Sequence, residues 1–377
     1  MSPLNGDFIQ RHAYAASGFQ PITAIHVAQF GEDFEIAHDK IEVIKKGNLT
    51  EIIIFFSFRK WGIRLLDKAR YNWKYYKTYK KFIRQFFSKE GLPNLVHVHI
   101  PMKAGMIAVW IKRTWGINYI VSEHAVIYSP GPEDAFMNRS LYFRRQVRNI
   151  LKSATLVTNV SAHDARLIGE LFGLPNVQVL RNTVNTEYFK YNPENPGRFR
   201  FLHISTLGFQ KNPEGILHCF HELQKLRGDW EFVLIGPDRE HISTLIRELG
   251  LGGRVNYKNE ISYPEVAMEM EKSSALVMFS RFENFPCIII EALCCGLPVI
   301  ATVVGGIPEC LDKTNSFLVE EGDQAALTLA LDMMMEKYSE FDRSSISAQA
   351  RALYNYDRIG RQFQDLYKQV VNEDEVD

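Results

Sequence analysis

The sequence predicts a two-domain α/β protein whose sheets are parallel and flanked by helices. Short apolar runs alternate with segments of helical period along the 377-residue chain, and many runs are apolar at nearly every position, as in Ile52–Phe56. Strands of that kind are buried on both faces, which is typical of parallel sheets covered by helices. The polar, proline-bearing stretch Lys190–Gly197 divides the runs into two groups and is typical of a linker. We therefore expect two α/β domains with a cleft between them.

Each apolar run is interpreted as one strand. The predicted strands of the first domain are Ile22–Val27, Glu51–Ser57, Leu95–Ile100, Ile117–Val121, Ala154–Asn159 and Val177–Leu180. Those of the second domain are Phe199–Ser205, Trp230–Ile235, Arg254–Tyr257, Ala275–Ser280, Pro298–Thr302 and Ser316–Val319. The last segment, Asp357–Val371, has apolar side chains at helical spacing, and Asp357 can cap its start. No predicted strand follows this helix, so we expect it to pack on a domain formed by earlier parts of the chain.

Charge and composition exclude several classes of protein. Lys plus Arg equals Asp plus Glu, with 44 of each, so the global charge predicts no partner. No apolar stretch reaches the roughly 20 residues that a membrane-spanning helix needs. The N-terminus lacks the basic and apolar regions of a signal peptide, and the cysteines lack metal-ligand spacing. We expect a cytoplasmic protein, or one that is peripheral to the inner face of a membrane.

The most informative stretch runs from Ser280 to Glu309. A strand ends at Ser280, a loop holds Glu283, and a helix begins near Pro286, a residue favoured at the first helical position. The helix is apolar on almost every side and is therefore buried, with Glu291 as its only charge. A buried carboxylate needs a partner, which a ligand hydroxyl or a structural Arg could supply. Glu283 alone could also be a surface loop residue.

This stretch resembles family 4 of the glycosyltransferases, which have the GT-B fold of two Rossmann-like domains facing a central cleft. The matching blocks are the E-x7-E motif of Glu283 and Glu291, the Ala-x-x-x-Gly-x-Pro-Val segment Ala292–Val299, and Gly-Gly-Ile-Pro-Glu at 305–309. The resemblance implies that Glu283 contacts the transferred sugar of a nucleotide-sugar donor and that Glu291 contacts the ribose hydroxyls.

Between the two glutamates, the resemblance places backbone groups against the sugar and phosphate of the donor. These groups belong to Asn284, Phe285, Pro286 and Cys287. The N–H groups at a helix start, together with the helix dipole, suit a diphosphate. The family often has Gly at position 284, so the Asn284 side chain could narrow the sugar pocket.

A second block, Ile204–Pro213, resembles the family's Gly-Arg-Leu…Lys-Gly segment, in which Arg and Lys hold the diphosphate. Lys211 matches the Lys, whereas Thr206 stands at the Arg position. One cation at about 4 Å from a phosphate contributes roughly 4 kcal/mol at an effective dielectric of about 20. Losing one of two cations should weaken donor binding unless another base substitutes. Arg281 and Arg181 are the candidates by motif position.

Histidines end two predicted strands of the first domain, where parallel α/β sheets bind ligands. His124 matches the family's Thr-x-His position near the transferred sugar and the acceptor, and His99 could lie at the acceptor or phosphate loop. A lone His after a strand is more often structural. His97 and His99 share a strand face, but no Asp-x-Asp motif marks a divalent metal. The resemblance implies a metal-independent enzyme without a cofactor.

Two further segments resemble family blocks more loosely. Val179–Asn185 stands where the family has Pro-Asn-Gly-Val-Asp, and suggests a donor contact at Asn182. Pro3–Ala13 resembles the family's first loop and helix, with Gly6 in the loop as a candidate acceptor or phosphate contact. The strand that precedes this loop in the family is missing. We expect either that the chain starts late relative to its natural gene product or that another segment fills the gap.

A basic, aromatic-rich helix is predicted ahead of the strand Leu95–Ile100. One stripe of this helix carries Arg70, Lys74, Lys77, Lys81 and Arg84, and another carries Leu66, Ala69, Trp73, Tyr76, Ile83 and Phe86. The pattern is typical of a crossover helix with a solvated face. It also suits a helix on an anionic membrane, where each base adds roughly 1 kcal/mol. No recognised nucleic-acid module accompanies the charge, so we expect no nucleic-acid partner.

Together these features define a predicted organisation and function. Residues 1–189 form the Rossmann-like acceptor domain, 198–352 the Rossmann-like donor domain, and 353–377 a helix returning to the N-terminal domain, with a polar tail. The predicted reaction transfers a hexosyl-type sugar, with retention, from a nucleotide-diphosphate sugar to a growing surface polysaccharide or lipid-linked saccharide. Glu283 and His124 are the predicted catalytic residues. The alternatives are a non-catalytic sugar-nucleotide-binding or scaffold protein and a GT-B nucleotide-sugar epimerase.

Overall fold

A computed structural model describes residues 7–29, 40–129, 131–132, 135–193 and 197–372. The strands are β1 (Ile22–Gln29), β2 (Lys40–Lys46), β3 (Leu49–Phe56), β4 (Val96–His99), β5 (Tyr119–Glu123), β6 (Leu156–Asn159), β7 (Val177–Val179), β8 (Phe199–Ile204), β9 (Trp230–Ile235), β10 (Val255–Lys258), β11 (Ala275–Met278), β12 (Val299–Thr302) and β13 (Ser316–Val319). The helices are α1 (Asp7–Ser17), α2 (Arg64–Glu90), α3 (Ala104–Trp115), α4 (Leu141–Ser153), α5 (Ala162–Phe172), α6 (Pro213–Leu226), α7 (Glu240–Glu248), α8 (Tyr263–Glu271), α9 (Cys287–Cys294), α10 (Gln324–Glu336), α11 (Arg343–Tyr354) and α12 (Tyr356–Asn372).

Three predicted features lie partly or wholly outside the described residues. They are the loop position Gly6, residues 194–196 of the predicted linker, and residues 373–377 of the polar tail.

The chain forms two compact units, each built from several segments. The larger unit comprises Met1–Arg11, His124–Ser140 and Asn159–Ile359. The smaller unit comprises His12–Glu123, Leu141–Thr158 and Gly360–Asp377.

The larger unit is built on one sheet with the strand order β10-β9-β8-β11-β12-β13, and every neighbouring pair is parallel. Successive side chains of a strand point to opposite faces, so Leu276 joins one buried cluster and Val277 joins the other. The first cluster includes α9, and the second includes α6 and α10. The sheet is therefore covered by helices on both faces, as the continuous apolar runs predicted. Because β8, β11 and β12 are parallel neighbours, their carboxyl ends lie side by side.

The smaller unit contains the sheet β1-β3-β2 and the strands β4, β5 and β6, which lie side by side in that order. β1 pairs with β3 in parallel, whereas β2 pairs with β3 antiparallel. The sequence did not predict β2, because most side chains of Lys40–Lys46 are exposed and no apolar run marks the strand. The expectation of purely parallel sheets is wrong at this edge.

Helix α2 buries only part of the apolar stripe that was expected: Ile83 is buried, and Tyr76 and Phe86 are partly buried against the same cluster. Its buried apolar side chains are Tyr75, Tyr79, Ile83 and Phe87, which pack with β1, β3 and α3. Leu66 and Trp73 of the predicted apolar stripe are instead exposed. The spacing i, i+4, i+8 selects a face made largely of tyrosines, whose rings supply the apolar area.

The C-terminal helix α12 packs in the smaller unit, as predicted. The Tyr367 hydroxyl lies 2.8 Å from His97 Nδ1 on β4, and the Phe363 ring lies 5.8 Å from the His97 ring. A Cβ on Gly360 would be 2.3 Å from the carbonyl oxygen of Ala15 on α1, so this contact requires glycine. Within the described part of the chain, no helix is both long and apolar enough to cross a bilayer.

Candidate functional site

The loop after β8 brings Lys211 to the carboxyl edge of the large sheet. Two of its non-glycine residues, Leu207 and Asn212, have φ near +50°. The Leu207 N–H donates to Ser205 Oγ at 3.0 Å, and Asn212 Oδ1 accepts from the Gly215 N–H at 3.3 Å as the N-cap of α6. Asn tolerates this left-handed conformation and is a favoured cap. The loop therefore holds Lys211 in a defined place just before a helix.

Lys211 forms an ion pair with Glu283, which lies in the loop after β11. Gln210 Nε2 donates to the other Glu283 oxygen at 3.3 Å and to the Phe282 carbonyl at 2.9 Å. The Glu283 side chain is 5% exposed and that of Lys211 is 16% exposed. Glu283 is thus a buried, paired carboxylate, and the alternative of a surface loop residue is wrong.

The Gly305–Gly306 pair after β12 lies in close contact with the loop that contains Glu283. A Cβ on Gly305 would be 1.7 Å from the Glu283 carbonyl oxygen, and one on Gly306 would be 2.4 Å from the Asn284 carbonyl oxygen. The Gly306 N–H donates to that Asn284 oxygen at 2.8 Å. Gly305 also has a φ of 54°, which favours glycine. The Gly-Gly motif is therefore required by the close approach of two backbones.

Asn284 joins several segments of the larger unit. Its Oδ1 accepts from Ser161 Oγ at 2.6 Å, and its Nδ2 donates to the His124 carbonyl at 3.2 Å. Ser161 is the N-cap of α5, where its Oγ accepts from the Asp164 N–H. The His124 ring lies 4.8 Å from the ring of Phe8 on α1. The structure thus brings the predicted residues Asn284 and His124 together through a backbone contact.

Helix α9 begins one residue later than predicted. Pro286 is its N-cap, Cys287 is its first residue, and no side chain caps the helix start. Phe285 is buried just before it, and Asn182 Nδ2 donates to the Phe285 carbonyl at 2.8 Å. Among the described residues, the buried Asn182 Oδ1 has no hydrogen-bond partner. An unpaired buried amide oxygen is unfavourable unless a ligand or water bonds it.

Glu291 has a protein partner that sequence reasoning did not name. Arg11 Nη1 donates to Glu291 Oε1 at 2.6 Å and also to the Tyr263 hydroxyl at 2.8 Å. The structural Arg that was kept as an alternative partner is therefore present. No motif marks Arg11, because its contact with Glu291 joins residues 280 positions apart.

Other bases lie around the position of the missing family Arg. Thr206 is exposed, and Arg239 Nη2 donates to its carbonyl at 3.0 Å. Arg281 Nη2 donates to Asn212 Oδ1 at 3.0 Å, in the same loop as Lys211. Arg239 was not predicted because it follows β9, outside every segment that resembles a family motif.

Arg181, the other candidate base, forms an ion pair with Glu309. The Glu309 carboxylate also accepts from the N–H groups of Ala162 and His163 at 2.9 and 2.8 Å. Burial opposes ionisation of Glu309, but these N–H groups and Arg181 together lower its pKa. Arg181 is thereby held at the start of α5.

Of the residues predicted for the first domain, His97 and His99 lie in the smaller unit, whereas His124 and Asn182 lie in the larger one. His97 Nε2 lies 2.8 Å from Ser122 Oγ, and its ring stacks on His99 at 4.5 Å. Burial lowers the pKa of His99 to about 4 and that of His97 well below its usual value, so both rings are neutral near pH 7. The contacts of His97 with Ser122 and Tyr367 agree with a structural role.

The basic stripe of α2 is divided between two environments. Lys77, Lys81 and Arg84 are exposed. Arg70 lies over the Trp61 ring at 3.2 Å, and Lys74 donates to the Ser57 carbonyl. Arg70 and Lys74 therefore also stabilise the fold locally, and Arg84 lies over the Trp110 ring at 5.1 Å.

Two family models match consecutive parts of the chain. Residues 184–352 match "Glycosyl transferases group 1", and residues 45–188 match "Glycosyltransferase Family 4". The chain therefore belongs to family 4 of the glycosyltransferases. Its fold is that of the GT-B enzymes.

Relatives and solved structures agree with this assignment. N-acetyl-alpha-D-glucosaminyl L-malate synthase of Bacillus anthracis is 26% identical over 74% of this chain and 76% of its own. An uncharacterized glycosyltransferase of Methanocaldococcus jannaschii and the lipopolysaccharide 1,6-galactosyltransferase of Escherichia coli match over 65% and 49% of their own lengths, respectively. Sucrose-phosphate synthase of Thermosynechococcus elongatus superposes with a TM-score of 0.77, at 16% identity over 97% of this chain and 92% of its own. Anabaena HepE in complex with UDP-glucose superposes with a TM-score of 0.65, at 18% identity over 84% of this chain and 86% of its own.

Proposed function

We propose that this protein transfers a hexosyl-type sugar from a nucleotide-diphosphate sugar to a saccharide acceptor, with retention of the anomeric configuration. The observation that carries the proposal is the ion pair between Lys211, which is half-buried, and Glu283, which is buried in the loop that leads into α9. A half-buried cation beside the positive end of a helix dipole favours a bound diphosphate, and the neighbouring carboxylate can accept hydrogen bonds from sugar hydroxyls.

In this proposal the donor is held by the residues at the sheet edge. Lys211 and the start of α9 stabilise the negative charge that develops on the leaving diphosphate. Asn182 Oδ1, which has no hydrogen-bond partner in the described part of the chain, is available to a donor group near Phe285. Glu291 accepts hydrogen bonds from the ribose, Glu283 orients the transferred sugar, and His124 acts on the acceptor side.

We propose that the reaction needs no metal ion or cofactor. Lys211 and the helix start supply the positive charge that a divalent cation supplies to a leaving diphosphate in other enzymes. Activity should therefore persist in EDTA. Strict dependence of activity on Mg²⁺ or Mn²⁺ would contradict this assignment.

The test of catalysis is release of nucleoside diphosphate from a nucleotide sugar, measured in wild type and in Glu283→Gln. The variant should lose transfer, whereas the exposed Glu248→Gln should retain it. NMR of the product should show the donor's anomeric configuration. Conversion of the donor sugar without release of diphosphate would identify an epimerase, and donor binding without turnover would identify a scaffold.

We further propose that the acceptor is a surface polysaccharide or lipid-linked saccharide, reached from the cytoplasmic side of an anionic membrane. The stripe on α2 supplies positive charge, and exposed apolar side chains lie in the first half of the helix at Leu65 (80%) and Trp73 (63%) and just before it at Trp61 (65%). Bases beside exposed aromatic and aliphatic side chains are typical of membrane-surface segments. One relative, from Escherichia coli, is a lipopolysaccharide 1,6-galactosyltransferase.

Vesicle sedimentation tests this membrane contact. Wild type should sediment with vesicles containing phosphatidylglycerol, not with phosphatidylcholine alone, and binding should fall as salt screens the charges. Changing Lys77, Lys81 and Arg84 to Glu should release the protein. The matched control changes the exposed Lys225, Arg247 and Lys313 to Glu, and should still bind. If wild type ignores anionic vesicles at low salt, the stripe is a solvated face and the acceptor is water-soluble.

A further inference from the structure

Arg11 and Glu291 form a buried ion pair within the larger unit. Their side chains are 8% and 4% exposed. Besides Glu291 and Tyr263, Arg11 Nη1 donates to the Thr183 carbonyl at 3.3 Å. Thr183 in turn donates to the Tyr354 carbonyl at 2.8 Å. The guanidinium is thus fixed by groups from three different parts of the unit.

Arg11 is a charge partner of Glu291, and several other titratable groups near Glu291 are neutral. Tyr263, at the start of α8, has a pKa raised by burial and by the negative charge of Glu291, so its hydroxyl stays protonated. Burial and Glu291 also raise the pKa of Cys294 to about 12, and that of Cys295 is raised well above its usual value. These tyrosine and thiol groups are neutral near pH 7, whereas Arg11 is positively charged.

A buried carboxylate is otherwise driven to its neutral form. A neutral carboxyl is a poor acceptor for a ribose diol, because it accepts more weakly and one of its oxygens carries a proton. A carboxylate has about four acceptor positions on its two oxygens, so pairing with one guanidinium nitrogen still permits hydrogen bonds from a ligand.

We propose that Arg11 is a positioning residue for the nucleotide: it keeps Glu291 ionised and fixes one carboxylate oxygen, so that the carboxylate is oriented to accept hydrogen bonds from the ribose hydroxyls. The proposal rests on the proposed ribose contact of Glu291. It gives α1 a role in donor recognition, although α1 belongs to none of the motifs that define the donor site.

The test measures nucleotide affinity as a function of pH. The probe is whichever of UDP, GDP and ADP binds wild type most tightly, titrated by calorimetry from about pH 5.5 to about pH 8.5. Each variant is compared with wild type at the same pH, because the terminal phosphate of a nucleoside diphosphate itself takes up a proton at about pH 6. Arg11→Gln should lose affinity progressively as pH falls, by about tenfold per pH unit below the point where Glu291 takes up a proton. Arg11→Gln combined with Glu291→Gln should be weak at every pH, without this dependence.

The outcomes distinguish a failure of the proposed Glu291–ribose contact from a failure of the proposed role of Arg11. Unchanged nucleotide affinity in Glu291→Gln alone removes the ribose contact and with it the proposed donor geometry. If Glu291→Gln weakens binding but Arg11→Gln shows no new pH dependence, Arg11 is only structural and the inference fails. Tighter binding by Arg11→Gln at every pH would show that Arg11 competes for the ribose site, which also overturns it.

A second variant covers the case in which Arg11→Gln does not fold. Arg11→Lys retains the charge but replaces the guanidinium fork with a single point donor. The affinity ratio between the probe and its 2′-deoxy analogue should then fall, because the carboxylate is no longer held in place for the diol. An unchanged ratio would contradict a positioning role.

Discussion

Lys211 is the residue on which the proposed donor site depends most strongly. Lys211→Gln removes the cation and should raise the dissociation constant of the nucleotide sugar by roughly one to two orders of magnitude, on the basis of about 1.5–3 kcal/mol for a hydrogen bond to a charged group. Calorimetric titration measures the change. The exposed Lys225→Gln should bind like wild type, and equal affinity in both variants would exclude Lys211 from the site.

Individual residues were predictable where a motif carried them. Glu283, Lys211 and Asn284 were all found in blocks with fixed spacing, and the structure joins them or their loops by direct contacts. Arg11 and Arg239 were not predictable, because each reaches its partner across a long sequence separation and lies outside those blocks. The alternative that Glu283 is a surface residue was wrong, since a loop in the sequence can be buried in the structure.

At the scale of the elements, the Gly-Gly turn after β12 sets the position of the loop that carries Glu283. Gly306→Ala would place a Cβ 2.4 Å from the Asn284 carbonyl oxygen and 2.6 Å from Ser161 Cβ, so the loops must shift. We expect loss of stability and at least tenfold weaker donor binding, on the scale of about 1–3 kcal/mol for overpacking.

Thermal unfolding and titration of Gly306→Ala check this prediction. Gly252→Ala is the matched control, because a Cβ at Gly252 meets no atom within 4 Å and its φ is not in the left-handed region. A Gly306→Ala protein that is as stable as the control and binds the donor normally would show that the two loops do not depend on each other.

The strands were predictable because buried parallel strands carry continuous apolar runs, and each predicted run overlaps an observed strand. β2 was not predictable, because an edge strand with exposed lysines carries no such signal. The buried face of α2 was predicted only in part, for a related reason. Tyrosine is polar at one end only, so the buried Tyr75 and Tyr79 were not recognised as the core face.

At the scale of the whole molecule, buried histidines make stability depend on pH. His203 is fully buried between the Val277 carbonyl and Ser205 Oγ, and burial lowers its pKa to about 4. In the unfolded chain this ring takes up a proton near pH 6.5. The contribution of the neutral, buried His203 ring to the free energy of unfolding is therefore fully present above that pH. It is lost as pH falls toward 4, at up to roughly 1.4 kcal/mol per pH unit.

Urea unfolding midpoints over this pH range test the effect. The decline toward acid should be shallower in His203→Gln than in wild type, whereas the exposed His218→Gln should retain the wild-type slope. Equal slopes in all three proteins would mean that His203 is not the group responsible.

For the molecule as a whole, we propose that a nucleotide-diphosphate sugar binds at the carboxyl edge of the large sheet. The most direct measurement is calorimetric titration of the full chain with UDP-, GDP- and ADP-sugars. We predict that at least one of them binds wild type, that Lys211→Gln and Gly306→Ala each weaken it at least about tenfold, and that Lys225→Gln and Gly252→Ala do not. The claim is contradicted if no nucleotide sugar binds, or if the bound one is held equally by all four variants.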